Sequence, residues 1–255
     1  SADGRREMSE ENIAGFVLPF VVAFLMFFAI ASAGGYLLEA VTEEKENRTM
    51  EILATSISPV RLMAGKALGL MSVSLTQIGV WGATIVIGVL VAARYIEPLQ
   101  TMSIPWEILI VALLFFLPTF TLIAGIMTTI GAAVTETQQG QQISGILNML
   151  FILPVFFAML IFVNANSPFL VFLTLFPTTA FMTVLLRIGM ATVPLWQMIL
   201  SWLILVGTAL GSLWVAGRVL RIGMLRYGQR LRLKAMVAGL RGEEPAAQKE
   251  ALNHA

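Results

Sequence analysis

Between two long apolar segments this chain carries one charged stretch, residues 42–66, TEEKENRTMEILATSISPVRLMAGK. Glu44 stands four residues before Arg48, the spacing of neighbours on a helix face, and Met50, Leu53 and Ile57 follow at helical intervals as an apolar stripe. Charge beside an apolar stripe suits contact with another protein or a membrane surface, not bond-making. The residue sets that catalysis needs are missing. There is no cysteine to act as nucleophile, thiolate ligand or disulfide partner, and the one histidine, His254, lies in a polar tail. Gly65-Lys66 is followed by Ala67 and lacks the earlier glycine of a phosphate loop, so the chain has no such site for hydrolysing ATP. HExxH is absent, Asp3 is the only aspartate, and no lysine stands within an apolar span as base for a serine nucleophile.

The elements that must position the charged stretch are membrane spans. Hydrophobic residues make up 58% of the 255 and charged residues 12%, against about 25% charged in a soluble domain. Mean hydropathy is +0.86. The expected fold is therefore an all-α, polytopic transmembrane helical bundle. Five segments are long and apolar enough to cross: residues 13–38, 67–92, 108–134, 143–163 and 195–217. Residues 167–189 are apolar too but are broken by Pro168 and Pro177.

Basic residues set the orientation. Arg218, Arg221, Arg226, Arg230, Arg232 and Lys234 follow the last span and place the C-terminus, with the polar tail 235–255, in the cytoplasm. Lys45, Arg48, Arg61 and Lys66 place the charged stretch there as well, while Arg94 and Arg187 read as lone basic residues of outer loops. Five crossings satisfy this arrangement and six do not. Residues 167–189 are thus expected to be a re-entrant pair of short helices that turn back at Pro177 within the outer leaflet, a geometry tolerated only when packed against protein. The same parity puts residues 1–12 outside the cell, which implies an earlier span, so the chain is expected to begin partway through a longer protein. A formal net charge of +1, with the bases at one end, does not point to nucleic acid.

Within the charged stretch, Thr42 reads as the N-cap of a short cytoplasmic helix over residues 42–57, with Glu43 and Glu44 complementing its dipole. Ser58-Pro59 then restarts a helix, Pro59 at the first helical position. No ionisable residue is expected in the core of a span, which disfavours proton- or sodium-driven transport. Gln77, Thr128 and Asn148 are the polar groups that could line a path or tie helices together. Ala29, Ala33 and Gly34, Gly65 and Gly69, and Gly207 and Gly211 have the small-residue spacing of close helix contacts.

With these residues in hand, the charged stretch resembles the permease subunits of type-2 ATP-binding-cassette (ABC) transporters, in the branch of sodium-exporter-like and drug-exporter-like permeases. The resemblance rests on Glu43, Glu44, Lys45, Glu46, Thr49, Met50, Glu51, Ile52, Leu53, Thr55, Ser58, Pro59, Gly65 and Lys66, and later on RIGMATVPLWQ and GMLRYG. It implies a permease domain over residues 13–234. Residues 42–57 would be a coupling helix seated on a separate ATPase subunit, which would carry the ATP and Mg; no cofactor is expected on this chain. Glu43, Glu44, Glu46, Arg48 and Glu51 would make charged contacts with that subunit, while Met50, Leu53, Ile57 and Pro59 pack or orient the helix. Residues 135–142, with Glu136, Gln138 and Gln139, would be a second cytoplasmic contact, or else a solvated turn around Gly140. A second permease copy and the lipid bilayer complete the expected partners, in the plasma or inner membrane. The competing classes are a secondary transporter or channel and a non-transporting membrane anchor.

Overall fold

The computed structural model describes residues 11–46, 59–92, 94, 106–164 and 166–223. Among these residues the elements are helices: α1 (Glu11–Glu46), α2 (Pro59–Ala92), α3 (Trp106–Ala133), α4 (Thr137–Phe156), α5 (Ala158–Asn164), α6 (Pro168–Leu175), α7 (Pro177–Met190) and α8 (Leu195–Gly223). The all-α expectation holds. Four stretches are long and apolar enough to cross a membrane, Pro19–Glu44, Val60–Gly88, Glu107–Ala133 and Leu195–Leu220.

Residues 143–163, expected as the fourth span, are divided between two helices. Phe157 separates α4 from α5 with φ −99° and ψ 5°, in the turn after Pro154. There the bonding tightens to the i−3 carbonyl, from Phe157 N to Pro154 O at 3.2 Å and from Leu160 N to Phe157 O at 2.9 Å. The first turns of α4, TQQGQQ, are too polar for a hydrocarbon core.

α1 corrects a second expectation. It does not stop at Leu38 for Thr42 to cap a new helix; it runs 36 residues through to Glu46. No glycine or proline follows Gly35 in the helix, and Thr42, fully buried, donates its hydroxyl back to Leu38 O at 2.8 Å. A threonine satisfied this way has no reason to cap. The remainder of the expected coupling helix, including Arg48, Met50, Glu51, Leu53 and Ile57, lies outside the described residues. Pro59 begins α2 as expected, and the helix runs unbroken from there through Lys66 to Ala92.

The core is built by α1, α3 and α7. Ile30 and Leu37 of α1, Phe115, Phe116, Ile123 and Met127 of α3, and Leu185 and Leu186 of α7 are all buried, with Leu205 of α8 against them. α3 packs most extensively on α8 and then on α1. Two glycines of α3 and α1 allow these approaches. A Cβ built on Gly34 would stand 2.6 Å from Ile123 Cγ2, and one on Gly125 would stand 2.8 Å from the Ser212 carbonyl carbon. By contrast Gly65, Gly69, Gly207 and Gly211 face open space, with nothing within 4 Å. Among the described residues their spacing makes no close helix contact.

α6 and α7 form a short helical hairpin turned at Phe176-Pro177. With 8 and 14 residues they extend about 12 and 21 Å, each short of the roughly 30 Å hydrocarbon core. Ser167 accepts from Leu170 N at 3.4 Å as the N-cap of α6, and Pro168 occupies its first turn. Thr179 Oγ1 donates to Leu173 O at 2.6 Å and so ties the start of α7 to the end of α6. Residues 180–187 are all buried, which makes α7 the most enclosed helix of the bundle.

Candidate functional site at one end of the bundle

Four helix ends converge on a second apolar cluster made by Val41 of α1, Met63 of α2, Ala132 of α3, and Val219 and Leu220 of α8. The turn from α3 to α4 closes over it. A Cβ on Gly131 would stand 2.9 Å from Val41 Cβ, and one on Gly140, in the first turn of α4, would stand 3.3 Å from both Leu38 Cδ1 and Val134 Cγ2. The sequence analysis singled out residues 42–66 and 135–142 separately; the fold puts the described parts of both at one end. Gly140 is buried there and not the apex of a solvated turn.

Charge decorates this end unevenly. Lys66 Nζ donates to Glu44 Oε1, an ion pair bridging α1 and α2. Glu44 Oε2 is buried without a partner. Glu43 is exposed beside this pair, as are Arg61 of α2, Glu136 and Gln138, whereas Gln139 is half-buried. Glu46 ends α1, and Pro59 opens α2. Among the described residues, Glu43, Arg61, Glu136 and Gln138 are thus exposed at this end, with Glu44 committed inward. Arg218, near the end of α8, lies over the Trp214 ring at 4.2 Å.

The three residues suggested for a path stand on three different helices. Gln77 is half-buried on α2, Thr128 is buried on α3, and Asn148 is half-buried on α4 with its Oδ1 unpartnered. α2 and α4 both pack on α1 and share at most a marginal contact with each other.

The opposite end holds a polar group that the sequence reading placed in an outer loop. Arg187 lies inside α7 and is 0% exposed. Its Nη1 donates to Thr174 Oγ1 at 2.7 Å and to Gln197 Oε1 at 3.0 Å, and its Nη2 donates to Asn166 Oδ1 at 3.0 Å. Ser201 Oγ adds a bond to Thr174 O at 2.6 Å. One side chain thus joins α6, α7, α8 and the turn before α6. The signal available in the sequence was an arginine within TTAFMTVLLRIG, an otherwise apolar amphipathic run; what it lacked was any hint that Thr174 and Gln197 face it. Gln197 and Val219 are separated by about 33 Å of α8, so the two polar regions lie at opposite ends of the bundle.

A bundle with several membrane-length helices defines a multi-pass membrane protein. Residues 5–218 match the family described as ABC-2 family transporter protein, and the chain belongs to that family of membrane transporter components. It is 28% identical over 233 residues to an uncharacterized protein of Methanocaldococcus jannaschii, covering 91% of this chain and 56% of that one. It is 26% identical over 245 residues to the uncharacterized protein YhaP of Bacillus subtilis, covering 91% of this chain and 57% of that one. The chain spans little more than half the length of these curated relatives. No solved structure matches it significantly.

Proposed function

We propose that this chain is the permease part of an ATP-driven ABC exporter, which couples ATP hydrolysis on a separate subunit to the outward movement of a substrate. Family membership supports the class, and the observation that carries the coupling is the convergence of α1, α2, α8 and the α3–α4 turn on one charged end. In this reading residues 42–57 and 135–142 face the ATPase subunit, which holds ATP and Mg, and that end is cytoplasmic, with the C-terminus. α4 and α5 together make the fourth of five crossings, and the α6–α7 hairpin is the re-entrant pair of the outer leaflet. A second permease copy completes the transporter in the cell membrane.

In this reading the energy enters through such a contact, since these 255 residues carry no phosphate loop. Among the described residues, Glu43 and Glu136 are the exposed carboxylates at that end. The full-length protein, tagged and purified from membranes, should bring down an ATPase subunit and raise its ATP turnover. Glu43→Lys combined with Glu136→Lys should reduce both by about tenfold, a size in keeping with loss of charge pairs across an interface. Assembly and turnover left intact by the double reversal would defeat the assignment. Transport that persists without the ATPase and collapses with the proton gradient would instead identify a secondary transporter.

A further inference from the structure

We propose that Arg187 is the receptor for a phosphate group, presented by a phospholipid headgroup at the end of the bundle opposite the charged face. The proposal rests on the reading of α6 and α7 as an outer-leaflet hairpin. Its starting point is the guanidinium itself. Arg187 is wholly buried, and among the described residues no carboxylate pairs with it; its three partners are the neutral oxygens of Thr174, Gln197 and Asn166. A buried cation in a membrane protein that has only neutral partners is a functional candidate, because desolvation penalises it until an opposite charge is supplied.

The way its donors are used says where that charge would bind. Nη1 is committed to two buried acceptors, Thr174 Oγ1 and Gln197 Oε1. Nε and Nη2 form the side edge of the fork, the edge that grips an oxyanion with two parallel bonds. On that edge Nε is buried with no partner among the described residues, and Nη2 meets Asn166 Oδ1. Asn166 is the exposed member of the group and stands in the short turn between α5 and α6. Its amide oxygen occupies the position that one oxygen of a phosphate would take, so that displacing that side chain frees Nη2. The surroundings indicate a headgroup. Trp196 in the first turn of α8, 58% exposed, is of the residue type that sits at headgroup depth, while Phe169 and Phe172 of α6 and Phe176 at its C-cap expose wholly apolar rings suited to the acyl chains.

The test uses the full-length protein with its co-purifying ATPase subunit, stripped of lipid in detergent. Retention of dioleoylphosphatidylglycerol is measured by native mass spectrometry. A galactosyl diacylglycerol, which has no phosphate, serves as control, and glycerol 1-phosphate as soluble competitor. Wild type should retain the phospholipid and not the glycolipid. Asn166→Asp places an internal carboxylate against Nη2 without touching the core, and should weaken phospholipid retention at least tenfold while leaving the melting temperature unchanged or higher. Arg187→Gln should abolish retention, and Asn166→Ala should preserve or strengthen it. Competition by glycerol 1-phosphate at concentrations similar to the lipid would show that a free phosphate ester is the ligand in place of a headgroup and overturn the stated source. Equal binding of the glycolipid, or wild-type retention by Asn166→Asp, overturns the proposal. Because ATPase co-purification is scored on the same samples, failure here with an intact complex leaves the exporter reading standing, and loss of the complex with phosphate binding intact does the reverse.

Discussion

Lys66 and Glu44 form an ion pair that joins the last turn of α1 to the second turn of α2, across 22 positions of sequence. The pair sets the separation of the two helices at the points where residues 47–58 leave and return. Glu44 is 12% exposed and Lys66 33%, so water screens the pair partly.

Breaking the pair should therefore cost little stability and more coupling. Glu44→Gln or Lys66→Met is expected to lower the free energy of unfolding by about 1 kcal/mol or less. Stimulation of the ATPase should fall several-fold, since the segment between the helices loses its frame. The charge-swapped double variant, Glu44→Lys with Lys66→Glu, should recover most of the stimulation. A double-mutant cycle on ATP turnover, run at low and high salt, measures this; additive losses would show that the two residues act separately.

Glycines of similar appearance should answer differently to substitution. Gly125→Ala forces a methyl to within 2.8 Å of the Ser212 carbonyl carbon, where backbone cannot give way, and should destabilise the α3–α8 contact by about 1–3 kcal/mol. Gly69→Ala meets nothing within 4 Å and should leave the fold unchanged or stabilise α2 by about 0.5–1 kcal/mol. Thermal unfolding in detergent, monitored by intrinsic tryptophan fluorescence, separates the two. Equal shifts would contradict the packing described for α3 and α8.

The turn of the hairpin offers a third measurement. Thr179→Val retains the shape of the side chain and removes the hydroxyl that donates to Leu173 O, leaving a buried carbonyl short of a partner. The expected cost is about 1–3 kcal/mol. Thr76→Val, whose hydroxyl bonds only to Ser72 O on an exposed face of α2, should cost far less. Limited proteolysis of the two variants in membranes, against wild type, reads the difference as accelerated cleavage near residue 176 in the first and none in the second.

What was legible in the sequence was whatever depends on a residue's immediate neighbours. Apolar length alone located α1, α2, α3 and α8, Pro59 marked the start of α2, and Pro168 and Pro177 marked the hairpin. Thr42 was misread because capping and back-bonding use the same hydroxyl, and the choice depends on whether the helix before it ends, which Leu38 and Val41 decide by packing against the α3–α4 turn. The break at Phe157 divides a run whose composition alone reads as continuous.

The sequence by itself determined that this is a helical membrane protein with no phosphate loop, and it marked the charged stretch through which a partner would act. Tertiary structure decided which charges remain available for that contact. Glu44 finds Lys66 only because α1 and α2 lie side by side, and Arg187 changes from a loop residue to the buried centre of a polar cluster only because α6, the turn before it and α8 supply three acceptors from Asn166, Thr174 and Gln197. Hydropathy and spacing act along the chain, whereas ion pairs and buried hydrogen bonds depend on distances between segments, and those are set when the helices pack.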